Sequence, residues 1–151
     1  MRKRHWWAWL IVAGYIWLIF RNSMMIAEAS EQMSLGVTGK VMEFLQRFGL
    51  YWADPYVLNR YIRKLAHFAE FSGLGFLVGW AIHLCPLFKY RFLNFVLFLI
   101  TIPVSDEVIQ HFYEGRSTQV TDMFIDGAGI LFGGFVIYVL ILIFNDLFRK
   151  R

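Results

Sequence analysis

The sequence predicts an all-α integral membrane protein with four transmembrane helices and a surface amphipathic helix in the long loop after the first. Of its 151 residues, 58% are hydrophobic and only 17% are charged, and the mean hydropathy is +0.51. Both the hydrophobic fraction and the mean hydropathy lie above the usual range for soluble globular domains. Four separate apolar stretches, most of them near the roughly 20 residues that a helix needs to cross a bilayer, give the number of spans.

The first stretch, 6–27, follows a basic N-terminus. A basic start before an apolar run is also typical of a signal peptide, but no small-residue cleavage site follows cleanly, which favours a signal anchor. The apolar part, 6–20, is short for a span. It reaches spanning length only if the helix continues through Arg21 to Ala27 by snorkelling or tilt.

The other three spans are predicted at 65–84, 92–112 and 127–147. Asp54 and Pro55 predict a helix start before the second span, because Asp accepts hydrogen bonds from the first free amides and proline suits the first helical position. From there we expect one unbroken helix into the span. All four spans are assigned to a single domain, 1–151.

The long loop between the first two spans carries a pattern of its own. Its apolar residues recur at helical spacing between charged ones, at Val37, Val41, Phe44, Leu45 and Phe48. This spacing is typical of an amphipathic helix that lies on the membrane surface, and it fits a helix packed across the bundle equally well. Both interpretations stay open.

Basic residues predict the orientation. They cluster before the first span, in the short link after the second (Lys89 and Arg91) and at the C-terminus. With four spans these clusters share one side, which the positive-inside rule makes cytoplasmic. We therefore expect a multipass protein of the cell membrane with both termini inside. This placement favours contact with lipid headgroups over nucleic acid, and the single Cys85 excludes an internal disulfide or a cysteine-based zinc site.

Polar side chains converge on the opposite, outer side. Successive spans alternate in direction, so the start of the second, the end of the third and the start of the fourth lie at the same depth in the membrane. The polar residues at this depth, with one from the loop, are Lys64, His67, Glu70, Asp106, Glu107, Gln110, Arg116, Asp122 and Asp126. Glu70 lies 14 residues before Leu84 and Asp106 lies 14 residues after Phe92. Both therefore sit about 21 Å above the inner end of the hydrocarbon core.

Carboxylates at that depth need compensation. Each costs about 2.5–3.5 kcal/mol even on the lenient insertion scale. We expect cations from other helices to meet Asp106 and Glu107 in one outward-facing pocket, and the available cations are Arg63, Lys64, Arg116 and His67. Each residue also has a simpler interpretation. His67 can be a packed histidine, Arg63 and Lys64 can anchor the helix at lipid headgroups, Asp122 can stabilise a helix N-terminus, and the buried carboxylates can form a structural ion pair. The spacing of Gly129 and Gly133 predicts close helix packing.

Three segments, RKLAHFAEF, SDEVIQHFYEGR and TDMFIDGAG, together resemble the VanZ-like family of membrane proteins. The matching positions are Lys64, His67, Phe68, Phe71, Asp106, Glu107, Gln110, Phe112, Gly115, Arg116, Asp122, Asp126 and Gly129. Two positions depart from the usual pattern: Asp126 stands where many members carry Asn, and Phe71 where Tyr is commoner. The resemblance implies a role at the Gram-positive cell envelope and lowered sensitivity to the antibiotic teicoplanin, without implying a reaction.

Three functions follow as hypotheses. In the first, the protein binds or modifies an amphiphilic envelope molecule, such as a lipid-linked cell-wall precursor or a glycopeptide antibiotic, with Lys64, Gln110, Arg116, Asp122 and Asp126 as ligand-binding residues.

The second is a membrane-embedded hydrolase or transferase, with His67, Glu70, Asp106 and Glu107 as catalytic residues, acting with or without a divalent cation. No nucleophile motif is present, and Ser105 is a weak candidate. The third is a structural bundle. Membrane lipids are expected partners, and the oligomeric state is left open.

Overall fold

The computed structural model describes residues 5–25, 27–51, 54–113 and 119–149. Within these ranges the chain forms five helices and no strand, which confirms the all-α class. In chain order the helices are α1 (Trp7–Ser23), α2 (Ala27–Arg47), α3 (Pro55–Leu84), α4 (Arg91–His111) and α5 (Val120–Arg149). Helix α3 contacts each of the other four and packs most extensively against α5, so it forms the centre of the bundle.

Three segments are long and apolar enough to cross a membrane: Pro55–Leu84, Arg91–His111 and Val120–Phe148. Their outer surfaces stay apolar, with the rings of Phe92 and Phe135 exposed by 75% and 64%. A soluble protein rarely leaves a continuous apolar surface of this kind in water, whereas lipid tails cover it. The chain is therefore membrane-embedded.

Helix α1 alone falls short of the predicted fourth span. Its 17 residues rise about 25 Å, less than the roughly 30 Å of the hydrocarbon core. The predicted continuation to residue 27 is not one straight helix, because α1 ends at Ser23 and the axis of α2 differs by 101°. The described residues reach four spans only if α1 and α2 together make one broken span, so the count of four stays a prediction.

Helix α2 covers the segment with the amphipathic pattern. On one face the Thr38 side chain is buried, and its hydroxyl donates to Asn59 Oδ1 of α3 at 2.9 Å. The apolar side chains of Val37 and Phe44 remain about half exposed. Val41 and Leu45 of the same apolar set are partly buried, so packing across the bundle stays an open interpretation of this face. Its contact with the membrane surface stays a prediction.

The start of α3 confirms the predicted cap. The carboxylate of Asp54 accepts hydrogen bonds from the amides of Tyr56 and Val57 at 2.8 and 3.4 Å, and Pro55 occupies the first turn. These two bonds satisfy amides that have no partner inside the helix. The helix then continues without a break to Leu84, as the sequence predicts.

Glycines bring α3 and α5 into backbone contact. A methyl group at Gly129 would lie 2.6 Å from the carbonyl oxygen of Phe68, and one at Gly133 would overlap the carbonyl oxygen of Ser72. Only residues without a side chain allow this approach, which confirms the packing role predicted for the glycine pair. The fully buried Phe71, Leu74 and Ile130 fill the space beside it.

Hydrogen bonds fix the direction of α1 against α3. Near its start, Trp9 Nε1 donates to the carbonyl oxygen of Cys85 at 2.7 Å. Halfway along, the Tyr15 hydroxyl donates to the carbonyl oxygen of Glu70 at 3.0 Å. The two helices are therefore antiparallel, and the end of α1 at Ser23 reaches the level of the polar residues. The side of the membrane on which this level lies stays a prediction.

Candidate functional site: a buried polar cluster

Three helices bring His67, Asp106 and Asp126 together, and we call these residues the three-helix cluster. His67 comes from α3, Asp106 from α4 and Asp126 from the second turn of α5. Each offers one nitrogen or oxygen atom, and these atoms all lie within 4.8 Å of one another. The two aspartates are 0% and 1% exposed, so the cluster is inside the bundle.

Asp106 is held by two neutral donors. The Ser23 hydroxyl at the end of α1 donates to Oδ1 at 2.5 Å. The Gln110 amide, one turn later on α4, donates to Oδ2 at 2.7 Å. Each oxygen keeps a second lone pair for another partner. These bonds fix the orientation of the carboxylate without neutralising its charge.

Asp126 has far less support. Its Oδ1 lies 3.4 Å from His67 Nδ1, within ion-pair distance, but the geometry is not that of a hydrogen bond. Both carboxylate oxygens and this histidine nitrogen are buried, and they make no hydrogen bond within the described residues. A buried polar group without a partner costs about 1–3 kcal/mol, and a charged group costs more. The buried atoms at the centre of the cluster therefore lack the hydrogen-bond or metal partners that would offset the cost of their burial.

Two further carboxylates flank the cluster. Glu107 Oε1 accepts a hydrogen bond from the backbone N–H of Gln119, while its Oε2 is buried without a partner among the described residues. The half-buried Glu70 accepts a hydrogen bond from Asn22 Nδ2 of α1 at 2.9 Å. The site as described is thus rich in carboxylates and poor in cations.

Of the cations predicted to meet Asp106 and Glu107, His67 lies within 4.8 Å of Asp106, whereas Lys64 does not meet either carboxylate. Lys64 Nζ instead contacts Asp122 Oδ1 at 2.9 Å, in a pair whose side chains are 33% and 25% exposed. In the described ranges, neither Asp106 nor Glu107 forms an ion pair with Lys or Arg. Lys64 and Asp122 lie nearer the starts of their helices than His67 and Asp126, where both can pair and still reach water. Arg116 lies outside the described residues.

The sequence profile of the VanZ/LLP1 family matches residues 7–144, which include every residue of the three-helix cluster. The chain belongs to the VanZ/LLP1 family. The resemblance expected from the three short motifs is thereby confirmed over nearly the whole chain. No curated protein sequence and no solved structure matches it.

In this VanZ/LLP1 chain, sequence reasoning missed the contribution of α1. Ser23 and Asn22 hold Asp106 and Glu70, although the predicted site drew on the later spans only. The signal was the polar pair Asn22-Ser23 directly after an apolar run. When α1 runs antiparallel to α3, this polar pair lies at the same depth in the membrane as the three-helix cluster. The hydroxyl that contacts Asp106 accordingly comes from Ser23 and not from the neighbouring Ser105.

A cavity of about 680 Å³ lies at the other end of the VanZ/LLP1 bundle. It is bounded by α3, α4 and α5 and is mainly apolar, with Arg91, Tyr138 and Asn145 in its wall. Its position near the end of α3 and the start of α4 separates it from the three-helix cluster. This cavity is therefore not the outward-facing polar pocket that the sequence predicts, and that pocket stays a proposal.

Replacing Ser23 with alanine tests the support of Asp106. The change removes the donor to Oδ1 and leaves a buried acceptor, which we expect to lower the free energy of unfolding by about 1–3 kcal/mol. Unfolding of the purified protein by SDS in mixed micelles measures this. The control is Ser34→Ala, since within the described residues that exposed hydroxyl donates only to the carbonyl oxygen of Glu31 in its own helix. Equal effects of the two substitutions would contradict the assignment.

Proposed function

We propose that this VanZ/LLP1 protein binds an amphiphilic molecule of the cell envelope, with the polar head at the three-helix cluster and the apolar tail in lipid. The class includes lipoglycopeptides of the teicoplanin type and lipid-linked cell-wall precursors. The protein is proposed to lie in the cell membrane with both termini cytoplasmic. This orientation places the cluster in the outer leaflet, where such molecules are found.

The buried, unpartnered atoms of Asp126 and Glu107 carry this proposal. Buried polar groups in proteins normally have hydrogen-bond partners, and exceptions need an explanation. A ligand that supplies donors would remove the desolvation cost. Because carboxylates outnumber cations here, the favoured head carries hydroxyl or amine groups, both of which donate to carboxylates.

Apolar surface at the same end of the bundle supports a place for the tail. Val108 and Phe112 follow Asp106 by two and six residues and are 52% and 78% exposed. Phe124, just before Asp126, is 74% exposed. A chain in contact with these side chains would lie in the bilayer while its head reaches toward the cluster. One amphiphilic molecule would then contact both the polar cluster and the exposed apolar side chains.

Binding of teicoplanin and its deacylated form to the protein in lipid nanodiscs tests the proposal. After subtraction of binding to empty nanodiscs, we expect saturable binding that is at least tenfold weaker without the acyl chain. His67→Ala should weaken binding of the intact molecule roughly 10- to 100-fold, the range for a hydrogen bond to a charged group. The control is His83→Ala, at the opposite end of α3.

Two outcomes would count against this function. One is equal affinity for the acylated and deacylated forms, and the other is unchanged binding by His67→Ala. Mass spectrometry of the recovered molecule separates binding from catalysis. An unchanged mass supports binding, while a new mass would favour the hydrolase or transferase hypothesis with the same residues.

A further inference from the structure

We propose that His67, Asp106 and Asp126 form a binding site for a divalent transition-metal ion. This site goes beyond the proposed amphiphile function and does not depend on it. The inference rests on the position of three potential ligand atoms, on their burial, and on the missing partners of two of the three residues.

The spacing of the ligand atoms suits a metal. Protein ligands lie about 2.0–2.2 Å from a Zn²⁺ ion, so two ligands in tetrahedral geometry are about 3.4 Å apart. His67 Nδ1 and Asp126 Oδ1 are separated by 3.4 Å. The full set spans at most 4.8 Å. Asp126 has no hydrogen bond in the described structure to restrain it. Rotation of its carboxylate can therefore bring the ligand atoms from this spacing to the distances that a tetrahedral metal site requires.

The missing partners point to a ligand in this space. The Asp126 side chain is 1% exposed, and both of its oxygens and His67 Nδ1 are without hydrogen bonds in the described ranges. An ion-pair staple alone would be expected to place the imidazole N–H in line with a carboxylate oxygen. A metal instead requires lone pairs on both atoms, turned toward a common point. The near approach without hydrogen-bond geometry fits the second arrangement.

Charge balance gives the same answer. With a neutral histidine, the two aspartates carry two negative charges into a region of low dielectric constant. Neither pairs with Lys or Arg among the residues the structure describes. A divalent cation would bring the sum for the three ligands and the ion to zero. Buried charges in proteins are typically either paired or bound to metals.

The ligand set selects the type of ion. Imidazole nitrogen favours Zn²⁺, Fe²⁺ and related metals, while sites made only of oxygen suit Mg²⁺ and Ca²⁺. Three protein ligands leave at least one position for water or another molecule, as in catalytic zinc sites. Ser23 and Gln110 bond to the carboxylate of Asp106 and act as positioning residues, the support that metal ligands usually have.

Metal titration of the full-length protein in detergent tests the site. The protein is purified without a histidine tag, treated with a chelator and titrated with Zn²⁺ by calorimetry and with Mn²⁺ by electron paramagnetic resonance. We expect one ion per chain, bound at least tenfold more tightly than Mg²⁺ or Ca²⁺. His67→Ala and Asp126→Asn should each weaken binding at least 100-fold, and Ser23→Ala should weaken it roughly 10- to 100-fold.

The control is Asp146→Asn, an exposed position at the far end of the same helix α5, which should bind like the wild type. Absence of saturable Zn²⁺ and Mn²⁺ binding in the wild type would overturn the proposal. Equal binding by Asp126→Asn would overturn it too. Because these titrations use the metal alone, they fail or succeed independently of any amphiphile.

Thermal stability gives a second readout that separates a metal site from a structural ion pair. When a chelator keeps both proteins free of metal, Asp126→Asn should melt at a higher temperature than the wild type, because the substitution removes a buried charge that has no hydrogen-bond partner among the described residues. Added Zn²⁺ should raise the melting temperature of the wild type and leave that of Asp126→Asn unchanged. If Asp126→Asn instead lowers the melting temperature in chelator and Zn²⁺ stabilises neither protein, the pair is a staple and the metal site is wrong.

Discussion

Replacing Gly133 with alanine is expected to push α3 away from α5 and to destabilise the bundle. The added methyl group would overlap the carbonyl oxygen of Ser72 and lie 2.7 Å from the amide nitrogen of Phe76. Both are backbone atoms, which cannot move aside as a side chain can. Overpacking of a buried contact typically costs 1–3 kcal/mol, and we expect about 3 kcal/mol or more here because the helices themselves must shift.

Unfolding of the purified protein in SDS mixed micelles measures this loss. Gly14→Ala is the matched control, because among the described residues a methyl group there meets no atom within 4 Å outside the adjacent backbone of its own helix. Alanine is also the better helix former, so the control should unfold at the same point or be more stable by up to about 1 kcal/mol. If Gly133→Ala and Gly14→Ala unfold alike, the close approach of α3 and α5 is wrong.

The same contact determines the geometry of the three-helix cluster. His67 lies on α3 directly before Phe68, whose carbonyl oxygen faces Gly129, and Asp126 lies on α5 less than one turn before Gly129. A shift of one ångström between the helices would take the 3.4 Å approach of His67 and Asp126 out of ion-pair range. The glycines are therefore as necessary to the site as the residues that form it.

Features that depend on local sequence were predictable. The Asp54 cap, the unbroken α3 and the glycine contact each follow from a few neighbouring residues, and all three are present. The common level of His67, Asp106 and Asp126 was also predictable. It follows from counting residues along helices that alternate in direction, which needs only the rise per residue.

Features that depend on how one helix faces another were not predictable. Depth along a helix does not tell which neighbour a side chain meets, because that depends on the rotation of each helix about its axis. Lys64 was expected at Asp106 or Glu107 and instead meets Asp122. The role of Ser23 was missed for a related reason: its partner Asp106 is 83 residues away along the chain, and no local pattern connects them.

Replacing Asp106 with asparagine should abolish teicoplanin protection in a sensitive Gram-positive host that produces this protein, if the proposed function holds. Asparagine keeps the shape of the side chain. Its oxygen can still accept the Ser23 hydroxyl, and Gln110 can rotate its amide so that its oxygen accepts from the new NH₂ group. The fold should therefore survive while the negative charge at the cluster is lost. We expect protection to fall to the level of cells without the protein.

Two measurements on the same cells separate the explanations: the inhibitory concentration of teicoplanin and the amount of protein in the membrane fraction. Asp146→Asn, the same chemical change at an exposed site, should retain full protection. Loss of protection by Asp106→Asn at a normal protein level supports a ligand or metal at the cluster, because a purely structural loss would lower the amount of folded protein in the membrane. A parallel fall in protein level would favour the structural hypothesis. Full protection at a normal level would mean that the carboxylate at 106 has no part in the function.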